Sequence, residues 1–420
     1  MTFPLPHQPY PTRTLDGSES NLLRRFTNTL TAAALHDYDC FVKDCHGDVA
    51  EDTRHDWKLV KRRGGLNVYR DRSADAVRHD NSVTMVEENG RVSSLEPPVA
   101  SQIQALLCIG TVPGTLDDVM LGVVSPTAGD TMLKSSCIGD NLVDCCVLAS
   151  IVSPSSQDPW RSLTLKWAVN ASPVAVRPFV RPRDFTYVES TGLTTSIDGE
   201  RVGYHIIHSV AVPATQKMED HELVRGNVSL YHVYRQKSPN TVEVHVRAFW
   251  QLSGRMQPSI QTFSCVDATI AVARIHRCSQ MKKLAQLSKR SRSLDSEIDP
   301  NCCSLCRRWV GGCFTVDKSC AVCQCITCWR CGVSKKLSTF APLRRTVLQR
   351  QETVCRRCLR KSDESVALQE PKPVKRSKAL SSTVLSTVST SSLDSRDWEC
   401  SHRSRVLSSR HFDVAATSRA

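Results

Sequence analysis

The chain has 420 residues, which is room for two or three domains. Its 40% hydrophobic content is somewhat low for a globular chain and predicts sizeable unpacked segments. The polar N-terminus has no apolar core of a secretory signal, and no stretch of eighteen apolar residues is present, so neither a secreted protein nor a transmembrane helix is expected. The net charge is +13, and residues 301–360 hold most of it, with twelve Lys/Arg against two Asp/Glu.

Residues 1–49 are predicted to form an N-terminal segment that is partly helical. Residues 1–19 are rich in proline and polar residues, which indicates disorder. Residues 20–43 place Leu22, Leu23, Phe26 and Leu30 on one stripe, which is typical of an amphipathic helix.

The next two hundred residues are predicted to be mostly β-strands. Residues 241–250 alternate cleanly, with valines on one face and Glu243, His245 and Arg247 on the other. Residues 204–212 alternate in the same way. Shorter runs of β-branched and aromatic residues predict further strands at 66–69, 83–86, 105–109, 162–169, 184–189 and 228–234.

Two helices are predicted to interrupt or follow these strands. Thr115 is suited to the N-cap of the first, which carries Leu116, Val119 and Met120 on one face. The second is predicted from Cys265 to Lys289, with basic residues at the end that suit the helix dipole. Antiparallel strands followed by a long amphipathic helix predict an α+β domain whose sheet wraps that helix.

Cysteines dominate the segment that follows. Residues 301–360 contain eleven of the twenty cysteines, and eight of them form pairs with two residues between the members: Cys303/Cys306, Cys320/Cys323, Cys328/Cys331 and Cys355/Cys358. A knuckle of this spacing can bind one ion through two thiolates, and eight sulfurs are the ligand count of two tetrahedral Zn²⁺ ions. Clustered cysteines in a reducing compartment favour metal over disulfides, and no histidine in the segment can serve as the base of a catalytic cysteine. We therefore predict two bound zinc ions.

The domain boundaries follow from these patterns. Residues 50–290 are the predicted sheet-and-helix domain, 291–300 a linker, and 301–360 a zinc finger. Residues 361–420 are enriched in Ser and Thr and contain a basic stretch, which indicates a disordered tail.

The finger resembles a FYVE zinc finger, within the FYVE/PHD-type superfamily, at Cys320-Ala-Val-Cys323-Gln-Cys325-Ile-Thr-Cys328-Trp-Arg-Cys331. Four residues separate its second and third pairs, as in that family. The resemblance implies a crossed arrangement, in which pairs one and three share one ion and pairs two and four share the other. Cys302 is an alternative to Cys303, because a spacing of three residues is also allowed.

The residues with which FYVE domains read a phosphoinositide are absent, so unspecific attraction to anionic lipid is expected instead. The resemblance implies a membrane-inserting tip in the loop after the first pair, and an alternative places its aromatic residues in a small core. The predicted lipid-contacting residues are Trp309, Phe314, Arg307, Arg308, Lys318, Arg356 and Arg357.

The domain before the finger resembles START lipid-transfer domains at four segments: Trp57-Lys-Leu-Val with Gly65-Leu-Asn-Val-Tyr69, Arg181-Pro-Arg-Asp184-Phe-Thr-Tyr-Val-Glu189, Glu222-Leu-Val-Arg225-Gly226, and Gly254–Pro258, which resembles the turn before the final helix. The resemblance implies a helix-grip fold, a curved antiparallel sheet around a long C-terminal helix, with an apolar tunnel for one lipid or sterol. A filled core without ligand is the alternative. Arg183 and Asp184 are interpreted either as polar anchors in the tunnel or as a structural ion pair.

No catalytic motif is found, so an enzyme is not expected. We predict a non-enzymatic lipid-binding or membrane-associated adaptor, cytoplasmic and peripheral on endomembranes, with an anionic membrane surface and proteins as partners rather than nucleic acid. The alternatives are a RING-like module that acts in ubiquitin transfer and a zinc-dependent module that binds protein or nucleic acid.

Overall fold

One curved sheet organises the first 291 residues. The computed structural model describes residues 2–73, 83–86, 92–95, 103–172, 180–212, 215, 218, 222–254, 256–291, 301–310 and 319–365. We call residues 2–291 the sheet domain and residues 301–365 the finger. The predicted disordered tail lies outside the described residues from 366 onward, as does the predicted linker from 292 onward.

Twelve strands form the sheet: β1 (Trp57–Arg63), β2 (Leu66–Asp71), β3 (Val83–Val86), β4 (Val92–Leu95), β5 (Gln104–Pro113), β6 (Leu142–Val152), β7 (Ser162–Asn170), β8 (Arg183–Thr195), β9 (Arg201–Ala211), β10 (Val224–Arg225), β11 (Asn227–Ser238) and β12 (Thr241–Gln251). The order is β1-β2-β5-β12-β11-β9-β8-β7-β6, all antiparallel. β10 and β3 add short parallel pairings to β8 and β9.

The inner face of the sheet packs on four helices: α2 (Leu116–Val123), α3 (Ala128–Ile138), α4 (Pro258–Thr269) and α5 (Ile275–Ser291). The alternation of β12 places Val242, Val244 and Val246 in this core, as the sequence predicts, and His245 on the outer face against Tyr38. The predicted N-cap is confirmed, since Thr115 and Asp118 form a capping box at the start of α2.

The C-terminal helix differs from its prediction. It begins at Pro258 rather than Cys265, because proline is favoured in the first helical turn, and a 3₁₀ segment (Ile270–Arg274) separates α4 from α5. Thr269 lies at the break. Its hydroxyl donates to the Cys265 carbonyl and accepts from the Trp250 indole N–H. Such back-bonding by threonine bends helices.

The outer face of the sheet is covered by the N-terminal segment. Helix α1 (Gly17–Asp44) crosses it and buries Leu23, Tyr38 and Phe41. The predicted disorder of residues 1–19 is wrong for the described residues 2–16, since Leu5 and Tyr10 are buried in a cluster with β6, β7 and β8. These two apolar side chains are too far apart in a proline-rich stretch to give a periodic signal.

Helix α3 was not expected from the sequence, because its buried face is polar. Lys134 on α3 and Lys166 on β7 both pair with Glu189 on β8, and all three side chains are almost fully buried. His205 Nε2 lies 2.8 Å from Glu189 Oε1, and Lys166 also donates to the Ser125 carbonyl. This satisfied ion cluster fills the interior between α3 and strands β7, β8 and β9.

The finger contains a long hairpin and a short helix: β13 (Gly332–Ala341), β14 (Thr346–Cys355) and α6 (Arg356–Glu364). Over the described ranges, no helix of the chain is both long enough and apolar enough to cross a bilayer.

Candidate functional site

The first cysteine cluster joins the first and third knuckles. The sulfurs of Cys303, Cys306, Cys328 and Cys331 all lie within 4.8 Å of one another. Burial acts to raise the pKa of the Cys303 thiol, but backbone N–H groups, including that of Leu305, outweigh it and lower the pKa to about 6. The surroundings of Cys303 therefore favour its thiolate, which is the form that ligates metal.

The second cluster joins the second and fourth knuckles. It contains Cys320, Cys323, Cys355 and Cys358, with the same upper limit of 4.8 Å between sulfurs. Backbone amides point at its sulfurs: the Cys355 N–H donates to Cys320 Sγ and the Cys358 N–H to Cys355 Sγ. The pairs are crossed as the FYVE resemblance implies.

The donor sets fit a tetrahedral ion. Four sulfurs at about 2.3 Å from a central Zn²⁺ lie about 3.8 Å from one another. The Sγ–Sγ distances are 3.6 Å between Cys306 and Cys328, and 3.7 Å between Cys323 and Cys355. Each cluster can therefore hold one metal ion.

Local backbone geometry explains why the pairs form knuckles. Arg307 and Gln324, which follow the first and second pairs, both adopt positive φ (57° and 61°) and turn the chain back over its own cysteines. Their amides donate to the carbonyls of Cys303 and Cys320 at 2.8 Å. A turn of this kind aims both thiols of a pair at one point.

Two spare cysteines flank the clusters. Cys302 lies outside the first group, and its backbone pairs with that of Trp309. Cys325 is buried, and its sulfur lies 3.2 Å from Cys323 Sγ, although it is not one of the four grouped donors.

The predicted lipid-contacting residues are partly placed. Arg307, Arg308, Arg356 and Arg357 are exposed. Trp309 is 66% exposed, so its assignment to a small core is wrong. Phe314 and Lys318 lie outside the described residues.

The sequence reading missed Trp329, which is 69% exposed beside Arg330 in the third knuckle. The two exposed tryptophans therefore belong to the first and third knuckles, which together form the first cluster. The position of Trp329 between two paired cysteines was the sequence signal that could have identified it as a surface residue of the finger.

The finger is docked on the sheet domain, which the sequence did not predict. Its hairpin lies on α3, where Phe340 packs against the backbone of Gly129 so closely that a Cβ at that glycine would lie 2.8 Å from the ring. The Ser136 hydroxyl donates a hydrogen bond to the Ser338 hydroxyl, and the Gln349 side-chain amide donates to the Ser136 carbonyl. On the other side, Leu284 of α5 is buried with the second cysteine cluster.

A buried ion pair closes this interface. Arg345, at the hairpin tip, pairs with Asp144 of β6, whose carboxylate is 1% exposed. The Leu5 amide donates to the same carboxylate at 2.8 Å, and Arg345 also donates to the Leu5 carbonyl. The N-terminal segment, the sheet and the finger thus meet at one charge pair.

A cavity of about 400 Å³ lies in the sheet domain between α4, the start of β8 and the loop after α3. Its walls are mainly apolar: Phe185, Trp250, Leu252, Met256, Ile260, Phe263 and Ala268. Phe263 is 61% exposed and stands at the rim. A cavity of this size and lining suits an apolar small molecule.

The interpretation of Arg183 and Asp184 as one ion pair is wrong. Adjacent strand residues point to opposite faces. Asp184 faces outward and pairs with Arg225 at 2.8 Å, while it also accepts from the Trp167 indole. Arg183 faces inward and lines the cavity.

Of the known proteins compared with this chain, only solved structures show similarity to it. No protein-family model matches the chain, and no curated protein matches it. Human StAR-related lipid transfer protein 5 aligns with a TM-score of 0.39 at 16% identity, over 62% of this chain and 99% of that one. Human STARD10 aligns with a TM-score of 0.37 at 13% identity, over 61% of this chain and 82% of that one.

The lipid transfer and protein localization domain of human StarD13 (DLC2) aligns with a TM-score of 0.34 at 12% identity, over 57% of this chain and 95% of that one. These structures are START lipid-transfer domains.

Proposed function

We propose that the protein is a non-enzymatic lipid-binding adaptor. The sheet domain, which its sequence motifs relate to START domains, holds one apolar or amphipathic molecule. The finger is a FYVE-related module that binds two zinc ions and presents a basic surface to anionic membranes at the cytoplasmic side. The single observation that carries the proposal is the apolar cavity of about 400 Å³ beneath α4.

Protein side chains occupy the interior next to the cavity. The ion cluster around Glu189 and the apolar core occupy the space under α2 and α3. The space under α4 is lined by the half-buried Ile260 and by Phe263, which is 61% exposed, and apolar side chains stabilise the fold most when they are covered. A bound lipid would supply that cover.

Native mass spectrometry of the purified full chain tests this directly. We expect an additional mass of one lipid that is released on denaturation. Ala268→Trp puts a large side chain into the cavity wall and should abolish the additional mass, while Ala285→Trp, on the exposed side of α5, should keep it. A ligand-free wild-type chain, or a ligand retained in the Ala268 variant, would contradict the proposal.

The membrane part rests on the charge and aromatic content of the finger. Trp309 and Trp329 are exposed beside Arg307, Arg308 and Arg330, and tryptophan next to cations is suited to a lipid interface. Each arginine near an anionic surface contributes about 1 kcal/mol.

Vesicle sedimentation of the full chain tests the membrane part. We expect binding to phosphatidylcholine vesicles that contain phosphatidylserine, with little preference among phosphoinositides. Trp329→Ala should weaken it, whereas Leu343→Ala, an exposed apolar residue at the other end of the hairpin, should not. Equal binding to neutral vesicles would refute this part.

A further inference from the structure

Arg183 is a buried cation without an anionic partner in the described part of the chain. It is 5% exposed. Its guanidinium donates to three backbone carbonyls, those of Arg181, Leu252 and Ser253, with distances of 3.2 Å to the last two. Carbonyl oxygens orient the guanidinium but carry no net charge. Burying an unpaired charge is costly unless something compensates it.

Two carboxylates, Asp140 and Asp267, also line the cavity. Asp267 pairs with both Lys61 and Arg63, each at 2.7 Å, so these three side chains together carry a net positive charge. Asp140 accepts from the neutral Ser135 hydroxyl and keeps its own negative charge. The neighbour Asp184 faces the other side of the sheet. With Lys61 and Arg63 counted, four positive charges stand against two negative ones around the cavity, which is an excess of positive charge.

The surroundings of Arg183 agree with this imbalance. Burial lowers the pKa of its guanidinium, and the nearby Arg181 lowers it further. Arg181 is exposed and lines the same cavity. Two arginines thus stand together at the start of β8. Arg183 uses three of its five guanidinium N–H groups on carbonyls and keeps two, and Arg181 adds its own guanidinium, so the pair can still donate to a carboxylate or phosphate.

The apolar part of the wall begins two residues along the same strand face. Phe185 follows Arg183 toward the interior and contacts Trp250 edge-on, with ring centroids 6.1 Å apart. Ile260 and Phe263 of α4 line the same space. A molecule with an anionic head at Arg183 and an apolar tail along these rings would satisfy both halves of the site.

We propose that the cavity selects amphiphiles with a carboxylate or phosphate head, and that Arg183, assisted by Arg181, is the residue that recognises the head. This inference rests on the proposed function and specifies its ligand class. Arg183 is then a specificity-determining residue, in addition to stabilising the loop at Leu252–Ser253 through hydrogen bonds to its carbonyls.

The test compares heads on one tail. Delipidated full-length protein is titrated with oleate, monooleoyl phosphatidic acid and oleyl alcohol by calorimetry below their aggregation limits, with inorganic phosphate as the tail-free anion. Because charge-assisted hydrogen bonds are about twice as strong as neutral ones, we expect both anionic amphiphiles to bind at least about tenfold more tightly than oleyl alcohol. Phosphate alone should bind weakly.

Arg183→Gln should reduce the preference for oleate over oleyl alcohol to less than about threefold while oleyl alcohol still binds. Arg181→Gln, at an exposed position, should reduce it in part, and this variant does not depend on the buried carbonyl contacts for folding. Arg62→Gln, which removes an exposed charge outside the cavity, is the matched control and should keep the full preference.

The outcomes separate the two proposals. Equal binding of oleate and oleyl alcohol, or an undiminished preference in the Arg181 and Arg183 variants, would overturn the anionic-head inference and leave lipid binding intact. Tight binding of phosphate alone would show a plain anion site and also overturn it. Failure of every amphiphile to bind would overturn the proposed function of the cavity itself.

Discussion

Replacement of Arg345 by methionine tests whether the finger is fixed to the sheet domain. Asp144 is 1% exposed, and Arg345 is 23% exposed at its side chain. Removing one partner of a fully buried pair costs about 3–5 kcal/mol. Because Arg345 is partly solvated and Asp144 retains the Leu5 amide, we expect a smaller cost of about 2 kcal/mol in docking free energy.

The sign of the effect follows from the pKa of Asp144. Burial raises that pKa above its ordinary value, although the Leu5 amide and Arg345 oppose the rise. A carboxyl group whose pKa rises on folding stabilises the fold while it is protonated, and that contribution is lost as the pH rises through the folded pKa. At neutral pH the ionised Asp144 therefore depends on Arg345, and the variant should be weakest there and recover toward acid.

Hydrogen–deuterium exchange of β13–β14 is the assay. A cost of about 2 kcal/mol corresponds to about thirtyfold faster exchange in peptides that open when the hairpin leaves α3. Arg344→Met, an exposed neighbour, should not change the rate. The double variant Asp144→Asn with Arg345→Met should restore much of the protection. Unchanged exchange in Arg345→Met, or no rescue in the double variant, would refute the reasoning.

Two further predictions concern the metal sites and the outer face. Cys355→Ser should bind one metal ion fewer by native mass spectrometry, whereas Cys325→Ser should bind both; loss of an ion in each would show that the assigned donors are wrong. Burial lowers the pKa of His245 to about 4, so unfolding takes up a proton and stability falls as the pH drops from about 6.5 toward 4. His245→Phe should reduce that loss, measured by urea titration, by up to about 3 kcal/mol, and the exposed His46→Gln should not. Identical pH profiles in all three proteins would contradict the assignment.

The cysteine pairs were predictable because metal ligation imposes its spacing on the sequence itself. Two thiols per knuckle and eight sulfurs per module leave few arrangements, and the FYVE resemblance implied the crossed one that the structure has. The strands were likewise predictable where alternation was strong, as in residues 241–250, because one face had to be apolar.

The docking of the finger was not predictable, because its contacts carry no local pattern. Phe340 and Arg345 lie in the hairpin of the finger, whose sequence does not distinguish the residues that contact another domain. Their partners, Gly129 and Asp144, lie about two hundred residues earlier in the chain. Helix α3 was hidden for a related reason: its buried Lys134 is satisfied by Glu189, so the buried face reads as polar.

The central claim is that two metal ions, each held by four thiolates, give the finger its structure. Zinc K-edge X-ray absorption on the purified full chain, combined with its metal content, tests that claim most directly. We expect two zinc ions per chain, each with four sulfur neighbours at about 2.3 Å and no nitrogen ligand. A chain with its paired cysteines in disulfides, or a finger that keeps its exchange protection without metal, would contradict it.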